Sequence, residues 1–159
     1  MSKTSVKRGR PGYERAEVLR LCVAEFNERG YEATSMDMLA KRLGLTKSAI
    51  YHHVASKEEI LEIALKQALN ALDEVFEAGE VLEADALERL EFVVRQTVFV
   101  LAEHLPEVTL LLRLRGNTPV EDAALGKRRE LTVRLSNLVG AAHEAGFVRQ
   151  DAAPATLAR

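Results

Sequence analysis

Thr46, Lys47, Ser48, Tyr51, His52 and His53 bring a cation, hydroxyl groups, a phenol and two imidazoles into one short run, TKSAIYHH. A histidine pair with Glu58 or Glu59 nearby is the raw material of a metal-dependent hydrolase. Adjacent residues on a helix point about 100° apart, however, and the chain has no H-x-x-x-H pair or cysteine companion for the two histidines. Metal binding, catalysis and a bound cofactor are therefore not expected. A lysine, hydroxyls and an aromatic ring on one outward face suit a different task, gripping phosphates and meeting base edges.

Those side chains share a face only if the stretch SMDMLAKRLGLTKSAIYHHV, residues 35–54, folds as two short helices joined by a turn. Met36, Leu39, Ala40 and Leu43 recur at i, i+3, i+4 and i+7, the apolar stripe of a first helix. Gly44 follows where a glycine in the left-handed conformation stops a helix, and Leu45 turns inward. Thr46 is a good N-cap for a second helix running to about His53, with Ala49, Ile50 and Val54 toward the first helix and Lys47, Ser48, Tyr51 and His52 outward. This is the pattern of a helix-turn-helix DNA reader. Ser35 or Thr34 caps the first of the two helices, where exposed N–H groups can also hold a phosphate.

The chain has 159 residues, 47% hydrophobic, enough to bury a sizeable core. A net charge of −2 speaks against a polyanionic partner until its distribution is seen. Residues 1–57 hold 11 Lys and Arg against 6 Asp and Glu, whereas the remainder holds 11 against 18. A basic head on an acidic body fits a reader with a separate sensor. The single cysteine, Cys22, cannot close an internal disulfide and sits on an apolar helical face with Leu19, Val23 and Phe26, as a small core residue. With no secretory h-region and no apolar run of membrane-spanning length, a cytoplasmic protein without membrane contact is expected.

Residues 1–12, MSKTSVKRGRPG, read as a flexible basic arm; Arg8-Gly9-Arg10-Pro11 is like the core of an AT-hook, whose arginines enter the minor groove of A·T-rich DNA, or else part of a solubilising tail. A helix over about Glu14–Arg29 packs behind the reader, with Gly30 as its stop and Tyr31 closing the small core. A capping box, Ser56 with Glu59, starts a helix of about twenty residues, which Gly79 and the EVLEAD stretch after it break. A second long helix, about Asp85–Leu105, is apolar nearly all round from Phe92 to Ala102, which predicts a place in the middle of a bundle. Arg95, Gln96 and Thr97 interrupt that half and face either a cavity or solvent. Pro106 opens another helix that ends near Gly116, and the turn Arg113–Pro119 either holds an anionic group or connects helices. A last long helix, about Val120–Ala145, stops at Gly146 with Phe147 tucking back, and Gly126 and Gly140 inside it are places where it can break. Asp151 and Pro154 begin one more helix.

The run from Ala24 to Lys57, AEFNERGYEATSMDMLAKRLGLTKSAIYHHVASK, resembles the DNA-binding segment of the tetracycline-repressor (TetR) family of bacterial regulators. F-x-x-x-G-Y, T-S, L-A-x-x-x-G-L-T, Y-H-H-V and S-K occur in the family's order and spacing, while Ser48-Ala49 and Asp37 depart from residues common there. The resemblance implies an all-α chain: a three-helix helix-turn-helix domain over residues 13–56, and a helical-bundle domain over 57–159 for ligand sensing and dimerisation. It also implies further C-terminal helices that build the dimer interface, so this second domain is expected to be cut short. The implied activity is a repressor, binding a near-palindromic double-stranded operator as a homodimer and released by a small-molecule effector. The DNA-contacting set is then Arg8, Arg10, Thr34, Ser35, Thr46, Lys47, Ser48, Ala49, Tyr51, His52, His53 and Lys57. The effector set is Phe92, Gln96, Phe99, Arg113 and Asn117, and the segment LLLRLRGNTPVE resembles acyl-CoA-responsive members. A helical ligand-binding module without specific DNA binding is the competing reading.

Overall fold

The computed structural model describes residues 14–157. Among them the regular elements are all helices: α1 Arg15–Arg29, α2 Met36–Leu43, α3 Lys47–Tyr51, α4 Lys57–Val81, α5 Ala86–Glu103, α6 Leu105–Arg113, α7 Pro119–Glu144 and α8 Pro154–Leu157. The chain divides into two compact units, one ending at Lys57 and the other starting at Glu58. Residues 1–12, expected to form the basic arm, lie outside the described residues.

The N-terminal unit buries Val18, Cys22, Val23 and Phe26 of α1, Tyr31, the Leu39, Ala40 and Leu43 stripe of α2, and Ile50 and Val54. Phe26 meets the Tyr31 ring edge to face, with centroids 5.1 Å apart. Burial and the neighbouring Glu25 carboxylate push the Cys22 thiol up to about 11, so it stays protonated and inert. Glu25 is buried, 3% exposed, and accepts charged hydrogen bonds from Arg29 of α1 and from Arg42 Nε of α2 at 3.1 Å. It thereby fixes the angle at which α2 leaves α1.

In the C-terminal unit α4 runs to Val81 and ends within the EVLEAD stretch, passing through Gly79 without a break there. Gly79 is there for closeness. A Cβ on it would stand 2.3 Å from Val93 Cγ2 of α5, so the bare glycine lets the two helices meet. Asp85 then caps α5 in a full capping box with Glu88. Contrary to the expectation from its composition, α5 is not enclosed. Val93 alone among its described residues is buried, while Val94, Val98 and Phe99 are 48%, 60% and 62% exposed. An apolar circumference says that a helix wants cover on every side, not that the neighbouring chain supplies it.

The turn between α6 and α7 is organised by Glu121, 2% exposed. Its Oε2 accepts from the backbone N–H of Arg115, Gly116 and Asn117 at 3.1, 2.9 and 3.2 Å. Gly116 takes φ 80°, the left-handed value that aims these amides at one point. Thr118 caps α7 by accepting from Glu121 N–H, and Pro119 occupies its first turn. Gly126 and Gly140 do not interrupt α7. It stops two residues before Gly146, φ 78°, with Phe147 N–H reaching Ala142 O at 2.9 Å, yet the Phe147 side chain stays 47% exposed instead of tucking in. Asp73 of α4 accepts from Lys127 Nζ at 2.8 Å and from Arg134, both of α7.

Candidate nucleic-acid interface

The turn between α2 and α3 is closed from both sides. Gly44 adopts φ 64°, ψ 26°, its N–H reaches Lys41 O, and Leu45 N–H reaches Ala40 O at 2.9 Å. This is the paired-bond stop expected of a left-handed glycine. Thr46 Oγ1 then accepts from Ala49 N–H at 3.1 Å and starts α3. Ile50, fully buried, and Val54, 2% exposed, hold α3 down. Arg15 Nε donates to His53 O at 3.0 Å, which ties the far end of α3 to the start of α1. A five-residue helix has little stability of its own; these fixings replace it.

What remains outside is Lys47, Ser48, Tyr51 and His52, all exposed, with Tyr51 at 44%. The structure thus brings together the centre of the sequence-derived set on one rigid surface. Ala49 and His53 are half-buried beside them. Ser35 caps α2, its Oγ accepting from Met38 N–H at 3.3 Å, and stays exposed.

Two members of the set are placed differently. Thr34 is 2% exposed and its hydroxyl donates to Gly30 O at 2.8 Å, so its hydrogen is spent on closing the α1–α2 turn. The Lys57 ammonium donates to Tyr31 O at 3.1 Å and Thr34 O at 3.4 Å and lies 4.4 Å from the centre of the Tyr31 ring. It holds the same turn from the other side. Arg8 and Arg10 lie outside the described residues. Glu25 and Arg42, which orient α2 and hence α3, were not selected from the sequence; a glutamate in an otherwise apolar helical stripe is the signal that would have found them.

Among the described residues no group of three or more His, Cys, Asp and Glu is placed to hold a metal ion, and no helix is long and apolar enough to cross a membrane.

The residues proposed for an effector fall in the C-terminal unit. Phe92, Gln96 and Phe99 share one face of α5, with Phe92 and Gln96 half-buried, and Arg113 and Asn117 are exposed. None of the five lines either of two cavities there. One, of about 450 Å³, lies between α4 and α7 and is lined in part by Leu65, Leu69, Val120 and Ala124. The other, of about 360 Å³, is bordered by Arg89, Arg134, Asn137 and Leu138.

The family model for bacterial regulatory proteins of the tetR family matches residues 18–64. The crystal structure of SCO3833, a member of the TetR transcriptional regulator family from Streptomyces coelicolor A3, is 44% identical, with a TM-score of 0.84 over 97% of this chain and 77% of that one. The TetR family regulator PfmR from Thermus thermophilus is 32% identical, with a TM-score of 0.71 over 89% and 78%. The transcriptional repressor KstR2 of Mycobacterium tuberculosis is 31% identical over 102 residues, 64% of this chain and 51% of its own. The chain therefore spans about half the length of the curated relatives it matches. A capped, buttressed helix-turn-helix, a helical body, and likeness of this extent to SCO3833 establish that the chain belongs to the TetR family of transcriptional regulators.

Proposed function

We propose that the chain is a sequence-specific repressor that binds a near-palindromic operator as a homodimer and lets go when a small molecule enters its C-terminal unit. The observation that carries the DNA reading is the exposed face of α3. Lys47, Ser48, Tyr51 and His52 project from a helix whose start, end and inner side are all fixed, so little order has to be lost on binding. Lys47 supplies charge to phosphate, Tyr51 presses ring and hydroxyl on the backbone, and His52 meets a base edge. One such reader spans few base pairs; two-fold pairing puts two of them one turn apart, about 34 Å. The repressor sense is supported by the likeness to KstR2, a transcriptional repressor. Selection of bound duplexes from a random pool by the full chain tests this. A recovered inverted repeat with half-sites one turn apart is expected, and recovery of no common site would refute it.

The effector is proposed to be an acyl-CoA or a related metabolite, met by the Phe92, Gln96 and Phe99 face with Arg113 and Asn117. The Asn117 amide N–H already serves Glu121, so an anionic group would have to be held by side chains. The 450 Å³ cavity between α4 and α7 favours a second location, since it joins an apolar lining to Lys66, Asn70 and Lys127 and is of the size that small ligands use. Gln96→Trp and Ala124→Trp proteins, assayed for release from the selected duplex by a panel of acyl-CoAs, separate the two. Loss of response in the first alone supports the α5 face, loss in the second alone the cavity, and normal release in both removes both sites.

A further inference from the structure

Lys47 does not stand alone on the outward surface. Its Nζ lies 3.0 Å from Asp37 Oδ1, and the two side chains are 64% and 67% exposed. Asp37 belongs to the first turn of α2 and Lys47 opens α3, so the pair joins the starts of both helices. Among the other acids of this unit, Glu25 clamps α1 to α2, and Glu17 pairs with Arg20 along α1, away from α2 and α3. An ion pair as open as Asp37–Lys47 adds little to folding. Its negative member lies on the surface that, on the reading above, meets a polyanion.

We propose that Asp37 is a specificity-determining residue, which weakens attachment to duplex DNA in general and is tolerated where a base amino group faces it. The chemistry is one-sided. An ionised carboxylate only accepts hydrogen bonds, so phosphates repel it and carbonyl and ring-nitrogen base edges leave it unpaired. The groups in the major groove that can satisfy it are the amino groups of cytosine and adenine, cytosine N4 being the usual partner of an acid. Asp37 also occupies Lys47, whose ammonium must leave it to reach a phosphate. While the pair persists Lys47 releases no counterion, and the salt dependence of binding lacks that contribution, about 0.9 in the slope of log K against log salt.

The inference rests on the DNA reading, and Asp37→Asn separates the two. The full-length wild-type and D37N chains are titrated by fluorescence anisotropy against a labelled random-sequence duplex pool at several salt concentrations, and both are put through duplex selection. D37N is expected to bind the random pool about threefold to tenfold more tightly, with a slope steeper by about 1, and to lose a cytosine or adenine preference at one position of each half-site. Lys47→Ala in the D37N background should return the slope to the wild-type value. Equal affinity, equal slope and an identical selected site for wild type and D37N would overturn the role of Asp37 and leave the DNA reading standing. If neither chain binds any duplex, both readings fall. An acid in a helix's first turn also interacts with its dipole, and that effect appears in Tm alone.

Discussion

Phe26 and Phe99 have the same side chain and opposite fates. In the N-terminal unit Phe26 is wholly buried and meets Tyr31; in the C-terminal unit Phe99 is 62% exposed beside an equally open Val98. The first unit covers its apolar residues with its own three helices and sets its polar chemistry outside. The second leaves an apolar face of α5 bare. The N-terminal unit closes on itself around its core, whereas the C-terminal unit leaves large apolar side chains of α5 exposed.

Substitution puts the largest number on that contrast. Phe26→Ala is expected to cost about 3–5 kcal/mol in denaturant unfolding, and Phe99→Ala less than about 0.5 kcal/mol. A comparable loss in both would mean that the α5 face is covered in solution, and sedimentation of the wild-type chain would show by how many copies.

Gly79→Ala comes next. Its new methyl would meet Val93, and a cost of about 1–3 kcal/mol is expected from the overpacking. The double change Gly79→Ala, Val93→Ala should recover part of it, which measures how rigid the α4–α5 approach is.

Smaller still is the cap of α3. Thr46→Ala should lose about 1 kcal/mol of stability because Ala49 N–H loses its acceptor, while Ser48→Ala, exposed and uncapping, should change thermal stability hardly at all. Their effects on DNA affinity are expected to run the other way if Ser48 touches phosphate.

The last effect is one of direction. Asp73 is held below the usual carboxylate range chiefly by its hydrogen bond to Lys127, with Arg134 assisting. Burial pushes Glu121 up, but hydrogen bonds from the amides of Asn117, Arg115 and Gly116 outweigh it and leave the group lowered. A carboxylate with a depressed folded-state pKa contributes stability that is complete above its unfolded pKa and is lost as pH falls through the folded value. The C-terminal unit should therefore soften as pH drops below about 4. Glu121→Gln and Asp73→Asn proteins should show flatter acid limbs in thermal scans from pH 7 to 3.

The contrast also decides what could be read from the sequence. The stop at Gly44 and the caps at Ser35 and Thr46 were legible because their partners lie within five residues, and the inward set Leu39, Leu43, Ile50 and Val54 because helical spacing marks it. Thr34 and Lys57 entered the DNA-contacting set through the family resemblance; that Lys57 also holds the turn at Tyr31 depends on contacts 23 and 26 residues away, while Thr34 closes it through Gly30 O. In the body, the end of α4 within EVLEAD was legible, but Gly79 looks like a terminator when the close approach of Val93 is unknown. The mixed signals of Arg113–Pro119 resolve once Glu121 is seen as an anion built into the chain, a role hinted at by the spacing Thr118-Pro119-x-Glu121.

The central claim, that the outward face of α3 reads DNA, is tested most directly by one titration. Wild-type and Tyr51→Ala chains, first shown to have the same Tm, are titrated against the duplex that the wild type selects and against random duplexes at one salt concentration. The expected result is at least about tenfold weaker binding of Tyr51→Ala to both, a loss on the order of 1.4 kcal/mol or more. Wild-type affinity for both duplexes in the Tyr51→Ala protein would contradict the account.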